Sequence, residues 1–326
     1  MKDRNQPIFL YLILPAYNEE EIMEQNIQIL IDYFQELSDK EEIAPESRIL
    51  FIDDGSSDKT WDIISKSHKM NPIVKGIRLS RNEGMQTALY AGMEEGFKCG
   101  AGVVITMDAD LQQDIHAMTK FIDEYRKGAD IVNGVRSSRN TDSFFKRKTA
   151  GLYYGIMRLF GCKIIPNSAD YRLLSRNALE ALLQYKERDL FIRGLIPVLG
   201  FKTAVVEFDV HERPGGSTKF TLPKMAGLAM DGVTSFTIRP IRLILLLGVL
   251  ILFISGGMMI HILWEYFHEN TVSGWASILA SIWMLGGLTL FAIGVVGEYV
   301  GRAYMESKKR PKYFVEDKLP KEDDEE

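Results

Sequence analysis

The 326-residue chain carries 39 Lys and Arg against 44 Asp and Glu, a formal charge of -5, and with a pI near 5.7 it lacks the basic balance that general nucleic-acid binding requires. Its length suffices for one large domain or two ordinary ones. The two cysteines, Cys99 and Cys162, stand far apart with no His or Cys at ligand spacing, which excludes a zinc cluster or a disulfide framework and predicts reduced, partly buried thiols.

Met1–Pro7 has neither the length nor the cleavage pattern of a secretory signal, so the large domain is expected in the cytosol. Ile8–Leu14 is short, continuously apolar and closed by Pro15, the pattern of a strand buried on both faces. Similar runs recur at Ile49–Ile52, Val74–Leu79, Val103–Met107 and Ile131–Val135, separated by helix-length segments. This alternation predicts an α/β domain on a mainly parallel, twisted sheet. Asp58 or Thr60 is expected to cap a helix over Trp61–Lys69, and Asn82 one over Glu83–Gly96. Thr221–Ile238 places Leu222, Met225, Leu228, Ala229, Val233 and Phe236 at helical intervals. That suits either an amphipathic helix in a membrane interface or one packed on the domain.

Apart from Arg242 at its start, Ile241–Trp264 contains no Asp, Glu, Lys or Arg, and Trp275–Val296 contains none. A hydrocarbon core of about 30 Å needs roughly 20 apolar helical residues, so both are long enough to span. Arg239 and Arg242 stand at the start of the first, Arg302, Lys308, Lys309 and Arg310 follow the second, and the connecting Glu265–Gly274 has no Lys or Arg. Both termini are therefore expected on the cytoplasmic side of a two-span cell-membrane protein. The acidic Glu316–Glu326 reads as a disordered tail. The expected parse is a domain over 1–220, an interfacial helix over 221–238, a hairpin over 239–302 with spans about 241–264 and 275–299, and a polar tail over 303–326.

Ligands of open parallel sheets collect beyond the carboxyl ends of the strands. Four polar segments follow the expected strands: Pro15–Glu20, Asp53–Asp58, Ser80–Gly84 and Asp108–Gln112. Asp108 and Asp110, one residue apart, could share a divalent cation bridging a diphosphate, with Gln112 as a neutral oxygen nearby. Asp53 and Asp54 are either turn residues or one of them contacts a nucleobase or ribose, and Tyr17 either covers a base or packs. Arg136 and Arg139, after the fifth strand, could grip a lipid phosphate or form a solvated loop.

Pro15-Ala16-Tyr17-Asn18-Glu19, Asp53-Asp54-Gly55-Ser56-Ser57-Asp58-Lys59-Thr60 and Asp108-Ala109-Asp110-Leu111-Gln112 together resemble family 2 glycosyltransferases of GT-A fold, in order and spacing. More narrowly, the chain from about Ile8 to Arg302 is similar to the dolichyl- and undecaprenyl-phosphate sugar transferases, especially bacterial ones with two transmembrane helices after the catalytic domain. The resemblance implies that Pro15, Tyr17, Glu19, Asp54 and Asp108 hold a nucleotide sugar, while Asp108, Asp110 and Gln112 organise Mg²⁺ or Mn²⁺. Gln113-Asp114-Ile115 departs from the proline-containing continuation usual in the family, which puts the next loop's shape in doubt.

Arg213–Phe220 resembles the family's Arg-x-x-Gly-x-Ser-x-Lys-like segment, with one residue more between Ser217 and Lys219 than is commonest. Arg213 is expected near the diphosphate or acceptor phosphate, and Lys219 on the acceptor phosphate or at the interface. Asp170, in Ser168–Leu174, resembles the Asp-Phe/Tyr-Arg-Leu element near the acceptor, and either positions groups there or pairs with Arg172 or another arginine. Asp110, Asp170 and Arg213 are the expected catalytic set. The implied activity is inverting, metal-dependent sugar transfer to polyprenyl phosphate, with UDP-glucose favoured over UDP-N-acetylglucosamine and GDP-mannose. A polysaccharide or protein acceptor, or an idle membrane scaffold, are the alternatives. Membrane lipid is an expected partner, nucleic acid is not, and the resemblance leaves room for a homo-oligomer such as a tetramer.

Overall fold

The computed structural model describes Arg4, residues 6–137, 168–187, 191–209 and 275–320, and scattered helical positions between 241 and 264. Eight strands form one sheet: β1 (Leu10–Ala16), β2 (Arg48–Asp53), β3 (Val74–Leu79), β4 (Val103–Thr106), β5 (Ile131–Arg136), β6 (Ser168–Ser175), β7 (Thr203–Phe208) and β8 (Val315–Leu319). Their order is β7-β5-β6-β4-β1-β2-β3-β8. The register pairs Leu12 with Ile49 and Ile105. β6 pairs antiparallel with both β4 and β5, and β8 antiparallel with β3, so six strands share one direction.

The apolar runs are continuous because helices cover both faces. Leu10, Leu12 and Leu14 of β1 join one cluster with Met23, Ile27, Leu30 and Phe34 of α1 (Glu20–Asp39), Trp61 and Ile64 of α2 (Thr60–Met70), and Phe121 of α4 (Ala117–Arg126). Tyr11 and Ile13, pointing the other way, join α3 (Met85–Lys98), α5 (Arg176–Leu183) and α6 (Ile192–Leu195). This is the period-two division of a strand buried on both sides. In α3, a Cβ added at Gly92 would collide with Ile13 Cγ2, so the helix lies close against β1.

All five strands expected from the sequence are present. β6, β7 and β8 were not foreseen, and β6 separates β5 from β4. The disorder expected from Glu316 onward is overturned over Glu316–Leu319, which belong to an edge strand whose Leu319 is buried in the core. One exposed side lets that strand be polar, and charge is the usual protection of a sheet edge. Asn82 caps nothing: α3 starts at Met85 after Gly84, whose φ is 90°. Asp58 does serve α2, accepting from Thr60 N at 3.0 Å. Cys99 is exposed rather than partly buried, because it stands at the solvent end of α3, where its Sγ donates to Glu95 Oε1 at 3.2 Å. Cys162 lies outside the described residues.

One continuous apolar helix follows the domain, α7 (Trp275–Ser307), 33 residues or roughly 50 Å long. Its Met284–Ser307 portion is long and apolar enough to cross a membrane, the one such helix among the described residues. The described positions between 241 and 264 are helical and expose Leu246, Phe253 and Ile260. The remainder of that segment, and the helix expected over 221–238, lie outside the described residues.

Candidate active site

The parallel strands β4, β1, β2 and β3 lie side by side, so the polar segments after them share one rim. Short polar side chains sew the first two together. Asn18, at φ 53°, donates its N–H to Ser56 Oγ at 3.0 Å and accepts from Ser57 N at 2.9 Å. Glu19 N donates to Thr60 Oγ1 at 3.0 Å, and Glu20 N to Asp58 Oδ2 at 3.1 Å. At Gly55, φ 68°, a Cβ would stand 2.6 Å from the Arg81 backbone, so the Asp-Gly-Ser-Ser turn needs glycine there.

Asp54 accepts from Glu83 N at 2.8 Å and Gly84 N at 2.9 Å, one bond to each oxygen. Burial outweighs those donors and raises its pKa to about 6. Asp54 thus fixes the loop that opens α3. Asp53 is fully buried and accepts from Ser56 N at 3.1 Å, with Arg78 Nε 3.4 Å from its other oxygen. Neither that oxygen nor Arg78 Nε has a hydrogen-bond partner, and burial raises the Asp53 carboxyl. β1 continues through Pro15, which pairs with Ile52, to Ala16, and Tyr17 after it is 41% exposed.

Across β1, the loop after β4 carries the aspartates. Asp108 is held in a two-point clamp: its N–H donates to Gln113 Oε1 at 3.1 Å, and Gln113 Nε2 donates to Asp108 Oδ2 at 2.7 Å. Gln112 N donates to Asp110 Oδ1 at 3.2 Å. Leu111 between them has φ 49°, a left-handed conformation costing an L-residue about 1–2 kcal/mol. Asn26 Nδ2 of α1 donates to Ala109 O at 2.8 Å and pins this loop from behind.

β6 runs antiparallel to β4, so its start brings Asp170 to the same rim. Thr106 Oγ1 donates to Asp170 O at 2.6 Å. Arg172 Nη2 reaches Asp170 Oδ1 at 2.6 Å, Arg193 Nη2 reaches Oδ2 at 2.8 Å, and Gln86 Nε2 reaches Oδ2 at 3.4 Å. Gln86 Oε1 also accepts from Ile192 N at 3.1 Å. Burial alone would raise the Asp170 carboxyl, but Arg193 and Arg172 hold it below the ordinary carboxylate range.

Asp108 shows the opposite balance. Burial, then the charges of Asp170 and Asp110, raise it to about 7, opposed by Arg193 and Arg136. Such crowding of hard carboxylate oxygens fits a divalent cation, which would relieve the repulsion. Among the described residues no three metal-ligating side chains converge. That donor set suits Mg²⁺ or Mn²⁺ held by one or two carboxylates with substrate phosphates and water filling the other positions.

The structure therefore brings Asp108, Asp110, Gln112, Asp170 and the exposed Arg136 to one side of β1 and Asp54 to the other, with Pro15 in β1 itself and Tyr17 and Glu19 in the segment that follows it. Arg139, Arg213 and Lys219 lie outside the described residues. Gln86 and Arg193 went unnoticed in the sequence, and Gln113 was noticed but not as the partner of Asp108. Gln113 had a signal, its place in the segment that departs from the family pattern. Arg193, 23 residues beyond Asp170, had none.

The family model described as glycosyl transferase family 2 matches residues 11–183. The chain is 44% identical to the uncharacterized glycosyltransferase YkoT of Bacillus subtilis, over 96% of this chain and 92% of that protein. This chain belongs to glycosyl transferase family 2. The glycosyltransferase is also 38% identical to the bactoprenol glucosyl transferase of Shigella phage SfV, over 95% of this chain and 99% of that one. Among solved structures, mannosyl-3-phosphoglycerate synthase from Rubrobacter xylanophilus aligns at a TM-score of 0.47 and 14% identity, covering 72% of this chain and 74% of that one. The family match runs from β1 to α5, so Arg193, α7 and β8 lie beyond it.

Two measurements test this geometry in the glycosyltransferase. Replacing Asp170 by Asn leaves the buried Arg172 unpaired, and the expected loss is about 3–5 kcal/mol in urea denaturation at neutral pH. Because the folded Asp170 value is lowered, its contribution is present above the unfolded carboxylate pKa and disappears as pH falls through the folded one. A wild-type-like midpoint would remove the pairing from the account. Asp108 has the reverse sign: the folded site is half-protonated near 7, so a cation must displace a proton below that pH. Calorimetric Mn²⁺ titration is expected to show about tenfold weaker binding at pH 6 than at pH 8, with close to one proton released at pH 6. Equal affinities would contradict the raised value.

Proposed function

We propose that this glycosyltransferase moves a sugar from a nucleoside diphosphate-sugar, UDP-glucose in the favoured case, to the phosphate of a membrane-held polyprenyl lipid, with inversion at the anomeric carbon. One observation carries the proposal: a cation-ready carboxylate rim and an apolar helix that no other described residue covers belong to the same chain. Ile278, Ile282, Leu290, Phe291 and Ile293 of that helix are all exposed, a pattern that needs a non-aqueous surrounding. Similarity to the phage bactoprenol glucosyl transferase extends over both parts.

In this proposal the spans about 241–264 and 275–299 form a hairpin with both ends cytoplasmic, and the helix over 221–238 lies at the interface. Tyr17 and Glu19 border the nucleotide, with Pro15 shaping the turn. Asp54 acts through the loop it holds rather than through an open carboxylate. Asp108, Asp110 and Gln112 would hold Mg²⁺ or Mn²⁺, which when bound neutralises charge on the departing diphosphate. Arg136, with Arg139, Arg213 and Lys219, supplies positive charge for the acceptor phosphate. That phosphate is a nucleophile already largely ionised at neutral pH, since its second pKa is about 6. A general base is therefore unnecessary, and Asp170, whose oxygens face arginines, serves to position Arg193.

The test is to incubate the purified full chain with undecaprenyl phosphate, Mg²⁺ and a panel of nucleotide sugars, and to identify the lipid product by mass. A hexosyl-phosphoprenol is expected from UDP-glucose. Asp110→Ala is expected to lower turnover by about 10²-fold or more while the fold is retained. Unchanged turnover in that variant would remove Asp110 from the site, and absence of any prenyl product would remove the acceptor.

A further inference from the structure

The chain does not end where the membrane helix does. After α7 stops at Ser307, residues 308–314 lead into β8, which pairs with the exposed edge of β3. Seven residues reach at most about 25 Å even when fully extended, so the end of the helix and the sheet edge are closely tied. The direction of entry is informative. Val315, the first residue of β8, pairs with Leu79, the last of β3, and Ser80 N donates to Phe314 O at 3.0 Å. The polypeptide therefore arrives from the helix at the carboxyl-end rim, where the carboxylates stand, and runs away from it to the buried Leu319.

Every stage of the return is fastened to an element of the site. Lys312 Nζ lies 3.8 Å above the Tyr90 ring of α3 and donates to Tyr185 O at 3.2 Å. Tyr313 OH donates to Glu94 Oε2 at 2.7 Å, and Lys318 Nζ pairs with Glu95 Oε1 at 2.9 Å, both again on α3. The same helix carries Gln86, which reaches Asp170. Trp61 Nε1 of α2 donates to Asp317 Oδ2 at 3.3 Å. Glu316 stands 3.6 Å from Arg78 Nε, and Arg78 in turn donates to Ser56 O at 3.1 Å in the loop after β2. Together these contacts join the segment after the helix to α2, to α3 and to the loop after β2.

We propose that residues 311–319 are a positioning clamp that holds the catalytic rim towards the bilayer, so that a membrane-held prenyl phosphate meets the donor site at a fixed distance. The clamp rests on the lipid-acceptor reading above. It makes the short connection from α7 a determinant of which acceptor the enzyme uses, because a tethered pair reacts at an effective concentration set by linker length and stiffness.

The experiment inserts six Gly-Ser residues after Lys309 in the full chain. Transfer is measured to undecaprenyl phosphate in phospholipid vesicles and to a short-chain, water-soluble prenyl phosphate. The insertion is expected to lower transfer to the vesicle-held acceptor by about tenfold and to leave the soluble acceptor's rate, the affinity for UDP and the melting temperature near wild type. An unchanged vesicle rate, an equal fall for both acceptors, or loss of UDP binding and melting temperature overturns the clamp while leaving the lipid-acceptor reading intact. A wild-type enzyme that used neither prenyl acceptor would defeat that reading, and the clamp with it.

Discussion

Half-buried Asp108 and Asp110 stand beside the buried Asp170, and the surrounding structure is arranged around that unfavourable concentration of charge. Two arginines neutralise Asp170, one wholly buried and one partly open to solvent. Asp108 receives a neutral partner instead, the Gln113 amide, which fixes its orientation and leaves its repulsion unrelieved. The difference separates the roles of carboxylates with the same chemistry. One is a fixed anion holding guanidinium groups in place, and the other is held by a neutral amide with its pKa raised.

The scaffold transmits order between the two halves of the rim through backbone donors. Asp54 anchors Glu83 and Gly84, the helix they introduce begins with Met85 and Gln86, and Gln86 bridges Asp170 to Ile192. Close contact of that helix with β1 at Gly92 limits its movement. The loop after β2 and the Asp170 cluster are thus connected by one element, α3, on which the returning C-terminal segment also rests.

Much of this was legible in the sequence because the physics involved is local. Continuous apolar runs ending in Pro15, Asp53 and Asp108 announced a sheet covered on both faces and a polar rim. The Asp-Gly-Ser-Ser turn and the paired aspartates are short patterns with their own chemistry. β8 was not legible, since Val315–Leu319 carries three charged residues in a row at an exposed edge and forms a strand only because β3 offers it unpaired backbone groups. β6 contains the charged pair Asp170 and Arg172, whose contact at 2.6 Å offsets the cost of burying both, and Arg193 arrives from a distant segment through tertiary packing. Asp54 shows the limit in another form. Its position was evident, but not that two backbone N–H groups already engage both its oxygens.

Whether one cation joins the aspartates to the donor diphosphate is the point on which the functional account turns. Electron–nuclear double resonance on the protein with Mn²⁺ and UDP measures it directly. The account predicts a ³¹P hyperfine coupling to protein-bound Mn²⁺ that disappears in Asp108→Asn. Persistence of that coupling in the variant, or bound Mn²⁺ with no phosphorus nearby in the wild type, would contradict it.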